Sequence, residues 1–173
     1  MEGRNDVLVY TSEVLTEDVE VTGPVEAIIF ASSSANDTDF TVKLVDVHPD
    51  GKAINLLERI QGAGYRESNE SPQPIIPGKV YEYRFHVGST SNLFKQGHKI
   101  RMEISSSNFP TYDVNLNNFR IAKDGTYADS KVATQKIYHD EEHPTRDSSD
   151  NSTFFLIEYT HSQCPRLLRY GGF

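Results

Sequence analysis

The stretch "VYEYRFHV" at residues 80–87 alternates apolar and polar side chains from Tyr81 onward. Tyr81, Tyr83, Phe85 and Val87 occupy the apolar positions, and the residues between them are charged or polar. Successive side chains of a β-strand point to opposite faces of its sheet. The pattern therefore predicts a strand with one buried face and one solvated face.

Other segments of the chain also predict β-strands. "HKIRMEIS" at residues 98–105 repeats the alternation, with its charged residues on the face expected to meet solvent. "VATQKIYH" at residues 132–139 predicts a further strand. "VEAIIFAS" at residues 25–32 is apolar on both faces, which is typical of a central strand covered from both sides.

Turn residues separate these strands. "DFTVKLVDV" at residues 39–47 and "KAINLLERI" at residues 52–60 flank "HPDG", which predicts a hairpin because aspartate followed by glycine tolerates positive φ. For "TSNLFKQG" at residues 90–97 we expect at most one helical turn. No segment carries a sustained helical stripe of apolar residues. We therefore predict an all-β fold, with two antiparallel sheets packed as a sandwich around one core.

Composition narrows the range of partners. The chain has 173 residues, enough for one core of ordinary size, and a net charge of −8 that would repel a phosphate backbone. Cys164 is the single cysteine, so no intramolecular disulfide can form. No apolar run follows Met1, and no window reaches the length of a membrane span. We expect a cytoplasmic protein that binds neither nucleic acid nor membrane.

The segment "ISSSNFPTYDVNLN" at residues 104–117 contains three consecutive serines and raises the question of a serine nucleophile. A nucleophile elbow requires the pattern G-x-S-x-G, because its glycines permit the sharp turn that exposes the hydroxyl. The sequence contains no such pattern. Serines at the end of a strand usually bond to the local backbone. We predict that this chain contains no catalytic residue and is inactive by itself.

"HDEEH" at residues 139–143 places two histidines four residues apart, the spacing that would align them on a helix for zinc. A helix is disfavoured there, because the segment follows a predicted strand and runs into Pro144. A polar loop is the better interpretation, although a loop can also bind a metal.

Asp37 and Asp39 could offer two carboxylates to a hard cation such as calcium, but a full shell needs six or more oxygens. Hydrogen bonds in an Asx turn explain this pair equally well. We therefore expect neither a metal nor any other cofactor. If a metal did bind, the candidate ligands would be Asp37, Asp39, His139 and His143.

Three segments, in order, resemble one known family. They are residues 5–56, which begin "NDVLVYTSEVLTEDV", residues 92–117, which contain "KIRMEISSSNFPTYDVN", and "KIYHDEEHPTR" at residues 136–146. Together they resemble the C-terminal domain of X-Pro dipeptidyl-peptidase and cocaine-esterase-type serine hydrolases. The resemblance implies a jelly-roll β-sandwich of the galactose-binding-like type.

In that family, the catalytic serine, aspartate and histidine lie on a separate α/β-hydrolase domain, and the sandwich helps to wall the substrate cleft. The resemblance thus implies an accessory domain whose partner is a catalytic α/β-hydrolase domain or a second copy of itself in a homodimer. The candidates for domain contact or ligand binding are Asn108, Phe109, Tyr112 and Asp113. A stand-alone module that binds a small ligand, a carbohydrate or another protein remains the alternative.

The resemblance ends at Arg146. We therefore divide the chain into a sandwich at residues 1–146 and a divergent tail at residues 147–173. Within the tail, "STFFLIEY" at residues 152–159 is rich in strand-forming residues. We expect this segment to supply the last strand of the sandwich.

Overall fold

A computed structural model of the chain describes residues 6–119 and 125–138, together with the backbone of two short strands in the tail. The regular secondary structure of these residues is almost entirely β-strand, and loops and turns make up the rest. The strands are β1 Val7–Thr11, β2 Val19–Ser33, β3 Asp39–Val47, β4 Ala53–Gly62, β5 Tyr81–Phe94, β6 Lys99–Ser105, β7 Gln135–Tyr138, β8 Ile157–Glu158 and β9 Arg166–Leu167. Two single 3₁₀ turns, Ala63–Tyr65 and Tyr127–Asp129, complete the described elements.

The strands form two main antiparallel sheets. One has the order β1-β6-β3-β4 and the other has the order β5-β2-β7, while β8 and β9 pair with each other. The predicted all-β sandwich is confirmed. The jelly-roll and galactose-binding-like descriptions, and the role of residues 147–173, stay predictions. Within the described ranges, no helix combines the length and the apolar character that a membrane crossing requires.

The core lies between the two sheets, where the predicted alternation of residues 80–87 is confirmed. Tyr83, Phe85 and Val87 are buried, and the polar residues between them are exposed. Phe40 of β3 packs across the interface against Tyr83, with 4.8 Å between the ring centroids. Burial of such side chains is the main favourable contribution to folding, and it holds the two sheets together.

The helical turn expected within residues 90–97 is wrong. β5 continues to Phe94 and pairs with β2 as far as Val19. Pairing with this 15-residue neighbour satisfies the backbone N–H and C=O groups of the segment that point toward β2, so the strand continues beyond the part predicted from the local sequence.

The solvated face expected for β6 is also wrong at one position, Glu103, which is buried. β6 lies in the interior of its sheet, and Glu103 stands between Val9 of β1 and Lys43 of β3. Neighbours on both sides cover this side chain, which an edge strand would leave in solvent.

The predicted hairpin at "HPDG" is confirmed. The N–H of His48 donates to the carbonyl oxygen of Lys52 at 2.9 Å, and Gly51 adopts a φ of +86°. β3 therefore runs from Asp39 at one end of the sandwich to this hairpin at the other. The two ends of β3 carry the polar clusters described below.

Candidate functional site

The loop that follows β6 is anchored at its start by Asn108, which is only 9% exposed. The carbonyl oxygen of Asn108 accepts hydrogen bonds from the N–H groups of Thr111, at 2.9 Å, and Tyr112, at 3.2 Å. Its side chain hydrogen-bonds Glu58 on β4. Burial by itself would raise the pKa of Glu58, but the hydrogen bonds from Asn108 and Lys43 bring it below its usual range. The turn is thus fixed to the first sheet.

Phe109 stands at the tip of this turn and is 63% exposed. The peptide bond between Phe109 and Pro110 is cis. Asp113 is exposed and Tyr112 is half-buried, so three of the four predicted contact candidates lie at the surface. The fourth, Asn108, acts as the internal anchor.

Ser105, the first of the three serines beside this turn, has structural partners. The hydroxyl of Ser105 donates to the carbonyl oxygen of Ser107 at 3.0 Å and lies 2.6 Å from the hydroxyl of Thr41. Thr41 belongs to β3, the neighbour of β6. These bonds join the end of β6 to the adjacent strand.

The two aspartates considered as cation ligands meet a residue from the same loop. The side-chain N–H₂ of Asn115 donates to Asp37 Oδ2 at 3.2 Å and to Asp39 Oδ1 at 2.8 Å. The N–H of Gly64 donates to the other oxygen of Asp37 at 3.1 Å. Asn115 Oδ1 accepts from the N–H of Asn117 at 2.8 Å, which fixes the orientation of the amide.

This carboxylate pair is electrostatically unfavourable. Burial raises the pKa of Asp39 to about 6. The hydrogen bond from Asn115 opposes this rise in pKa, whereas the negative charge of Asp37 adds to it. Burial likewise raises the pKa of Asp37. The side-chain amide of Asn115 occupies the position between the two carboxylates, where a cation would have the most favourable electrostatic interaction. The pair is thus held by hydrogen bonds from Asn115 and Gly64, which are distant in the sequence, a pattern that differs from the local Asx turn considered above.

The other two candidate ligands, His139 and His143, lie outside the described residues. The structure instead brings together three residues that the sequence reasoning missed: Asp46, His48 and His98. His98 Nδ1 lies 2.8 Å from Asp46 Oδ1, and His48 Nε2 lies 3.7 Å from Asp46 Oδ2. The two imidazole rings are in contact in a tilted arrangement, with 4.3 Å between centroids and 37° between planes.

A signal for this cluster exists in the sequence, but it depends on strand register. Asp46 and His48 are two residues apart at the end of β3, and His98 directly precedes β6. In the structure, Asp46 is opposite Ile100 and Val47 is opposite Lys99, so the next step places His48 opposite His98. Only knowledge that β3 and β6 are neighbours would have revealed this.

Comparison with known proteins gives consistent results. Residues 1–146 match the sequence profile of the X-Pro dipeptidyl-peptidase C-terminal non-catalytic domain. The chain is 48% identical over 142 residues to cocaine esterase from Rhodococcus sp. (strain MB1 Bresler). That alignment covers 82% of this chain and 25% of the esterase.

Solved structures show the same relationship. An aminopeptidase from a marine sediment Thaumarchaeota archaeon superposes with a TM-score of 0.77 at 35% identity, covering 81% of this chain and 25% of that one. An α-amino acid ester hydrolase superposes with a TM-score of 0.75 at 30% identity, covering 79% and 24% of the two chains. The chain thus spans about a quarter of the length of each of these proteins.

Proposed function

Because this chain belongs to the family of X-Pro dipeptidyl-peptidase C-terminal non-catalytic domains, we propose that it serves as an accessory domain of a serine hydrolase. In this role it docks against a catalytic α/β-hydrolase domain and contributes one wall of the substrate cleft. The relatives are named as an esterase, an ester hydrolase and an aminopeptidase. We infer that the partner domain hydrolyses esters or amides.

The turn at Phe109 carries this proposal. The ring is 63% exposed, yet the backbone that presents it is fixed by the buried Asn108 and by two main-chain hydrogen bonds. Aromatic residues are enriched at protein interfaces, and a preorganised contact loses little conformational entropy on binding. Full burial of a phenylalanine side chain contributes roughly 1.5–3 kcal/mol. The turn therefore suits a contact with another domain.

A chimera tests the docking role. The C-terminal segment of cocaine esterase that aligns with this chain would be replaced by the whole chain, and hydrolysis of p-nitrophenyl acetate would be measured. In this chimera, Phe109→Asp should lower kcat/KM at least about tenfold, equivalent to ~1.4 kcal/mol, because it places an unpaired charge in the interface.

The matched control is Val14→Asp, which alters an apolar residue that is 51% exposed. Val14 lies near the start of β6, since the N–H of the adjacent Leu15 donates to His98, whereas Phe109 follows the end of that strand. Equal activity in the Phe109→Asp and Val14→Asp chimeras would refute docking through this turn. Hydrolysis of p-nitrophenyl acetate by the isolated chain would refute a non-catalytic role. Binding of a saccharide to the isolated chain, abolished by Tyr112→Ala, would favour the binding-module alternative.

A further inference from the structure

We propose that Asp46, His48 and His98 form a binding site for a divalent transition metal of the zinc class. The site lies at the hairpin end of the sandwich, where β3 ends and β6 begins. It differs in position from the turn at Phe109, which follows the opposite end of β6. The proposal is therefore independent of the docking role.

The donor atoms are already gathered within metal-binding range. One donor atom from each of the three residues lies within 4.8 Å of the other two, and the two closest approaches to Asp46 measure 2.8 and 3.7 Å. Ligand bonds of about 2.0–2.1 Å in a tetrahedron place neighbouring donors about 3.3 Å apart. Binding would therefore require donor–donor distances to change by about 1.5 Å or less.

The sheet explains why these side chains converge. Alternate residues of a strand share a face, and Phe40, Val42 and Leu44 of β3 belong to the core. Asp46 and His48 continue that row at the rim of the sandwich. His98, opposite His48 by register, projects from the neighbouring strand on the same face. The backbone therefore fixes all three positions, as a preorganised site requires.

The environment is half-buried and polar. The side chains of Asp46 and His98 are 10% and 13% exposed, and that of His48 is 37% exposed. A metal ion could thus enter from the side of His48. Asp46 lies on the core-facing side of β3, and burying its carboxylate there costs free energy unless a positive group lies beside it. A divalent cation bound to all three residues would supply that positive group.

The donor set selects the class of metal. Two imidazole nitrogens and one carboxylate oxygen suit zinc, cobalt, nickel or copper, whereas calcium and magnesium prefer oxygen ligands alone. Asp18, whose charge also reaches His98, is already engaged by the side chain of Lys95 and the N–H of Gln96. Three protein ligands leave the fourth zinc position to water or to an external ligand.

The structure also supports a metal-free function for the same residues, because the His98–Asp46 hydrogen bond alone could hold the hairpin to β6. The two interpretations differ in their response to zinc. A metal that binds only the folded state stabilises it, and the stabilisation grows with the logarithm of the free metal concentration above Kd. A simple hydrogen bond gains nothing from zinc.

The experiment uses the full chain without an affinity tag, stripped of metal by a chelator. Zinc chloride is titrated by calorimetry and by competition with a chromophoric chelator, and thermal unfolding is followed with and without zinc. The test variants are His48→Ala and Asp46→Asn. His86→Ala removes an exposed histidine from β5 as the matched control. A His139→Ala/His143→Ala double variant separates this site from the "HDEEH" segment.

We expect one zinc ion per chain and a higher unfolding temperature in its presence. His48→Ala and Asp46→Asn should weaken binding at least about tenfold, whereas His86→Ala and the double variant should bind like the wild type. Substitution with cobalt should give a visible spectrum that changes in His48→Ala. Absence of saturable binding, unchanged binding in His48→Ala, or loss of binding in the double variant would each overturn the proposal. His48 lies at the surface, so its removal should leave the fold intact, which circular dichroism would verify.

Discussion

The two ends of β3 present the same kind of side chain in opposite chemical settings. At the start of the strand, the carboxylate of Asp39 accepts from the amide of Asn115, beside a second carboxylate on Asp37. At its end, the carboxylate of Asp46 faces two imidazoles, from His48 and His98. The first end contains surplus negative charge and a neutral donor. The second contains groups that can either carry a proton or bind a metal.

This difference shows that the partner determines what a buried aspartate can do. An amide can donate hydrogen bonds but cannot neutralise charge, so burial raises the pKa of Asp39 to about 6. Imidazoles can coordinate a cation together with the carboxylate. We interpret the Asp39 end as an anchor for the loop after β6 and the Asp46 end as the site with binding chemistry.

Removal of the amide should have the largest effect at the Asp39 end. In Asn115→Ala, both carboxylates lose a hydrogen bond, and we expect the free energy of unfolding to fall by about 2–3 kcal/mol at pH 8. The loss should be smaller at pH 4, where the carboxyl group of Asp39 is largely protonated. Urea denaturation at the two pH values measures both quantities. Asn69→Ala, in an exposed loop, is the control and should leave stability unchanged.

Removing the charge of Asp39 should raise the free energy of unfolding, the opposite of the effect expected for Asn115→Ala. A carboxyl whose folded pKa of about 6 exceeds the reference value of 3.8 stabilises the fold below pH 4, and this contribution is lost as the pH rises through 6. Asp39→Asn retains an acceptor for Asn115 without the charge. We expect it to be about 1–2 kcal/mol more stable than the wild type at pH 8, discounted from the full shift because the side chain is partly exposed.

At pH 4, this variant and the wild type should differ little. Asp113→Asn, which alters an exposed aspartate in the same loop, should show no such pH-dependent gain. A gain for Asp39→Asn that is equal at pH 4 and pH 8 would contradict the electrostatic explanation. It would point instead to a difference in packing.

The smallest predicted change in stability concerns the hairpin at the other end of β3. Gly51 has a φ of +86°, and an added Cβ would meet no atom within 4 Å. Gly51→Ala should therefore lower the free energy of unfolding only by the backbone cost of the left-handed region, about 1 kcal/mol. Gly78→Ala, at a φ of +79° with equal space, should lose the same amount. A larger loss for Gly51→Ala in the thermal unfolding of the two variants would mean that the hairpin also depends on the position of His48.

Local sequence pattern predicted the structure correctly where a strand or a turn is determined by residues close together in the sequence. The alternation of residues 80–87 and the hairpin at "HPDG" are both observed. The pattern failed for residues 90–94, where pairing with β2 extends β5, and for Glu103, where two neighbouring strands cover a charged side chain. Each failure arises from a neighbouring strand that is distant in the sequence.

By itself, the sequence determined the fold class and the resemblance to a hydrolase accessory domain, because periodicity, turn residues and motif order are properties of contiguous segments. The tertiary structure alone decided which polar residues meet. Asn115 reaches Asp39 across 76 residues, and His98 reaches Asp46 across 52. The register of β3 against β6 and the path of the loop after β6 bring these groups together. Register and loop path depend on how the whole chain buries its apolar surface, which no single segment records.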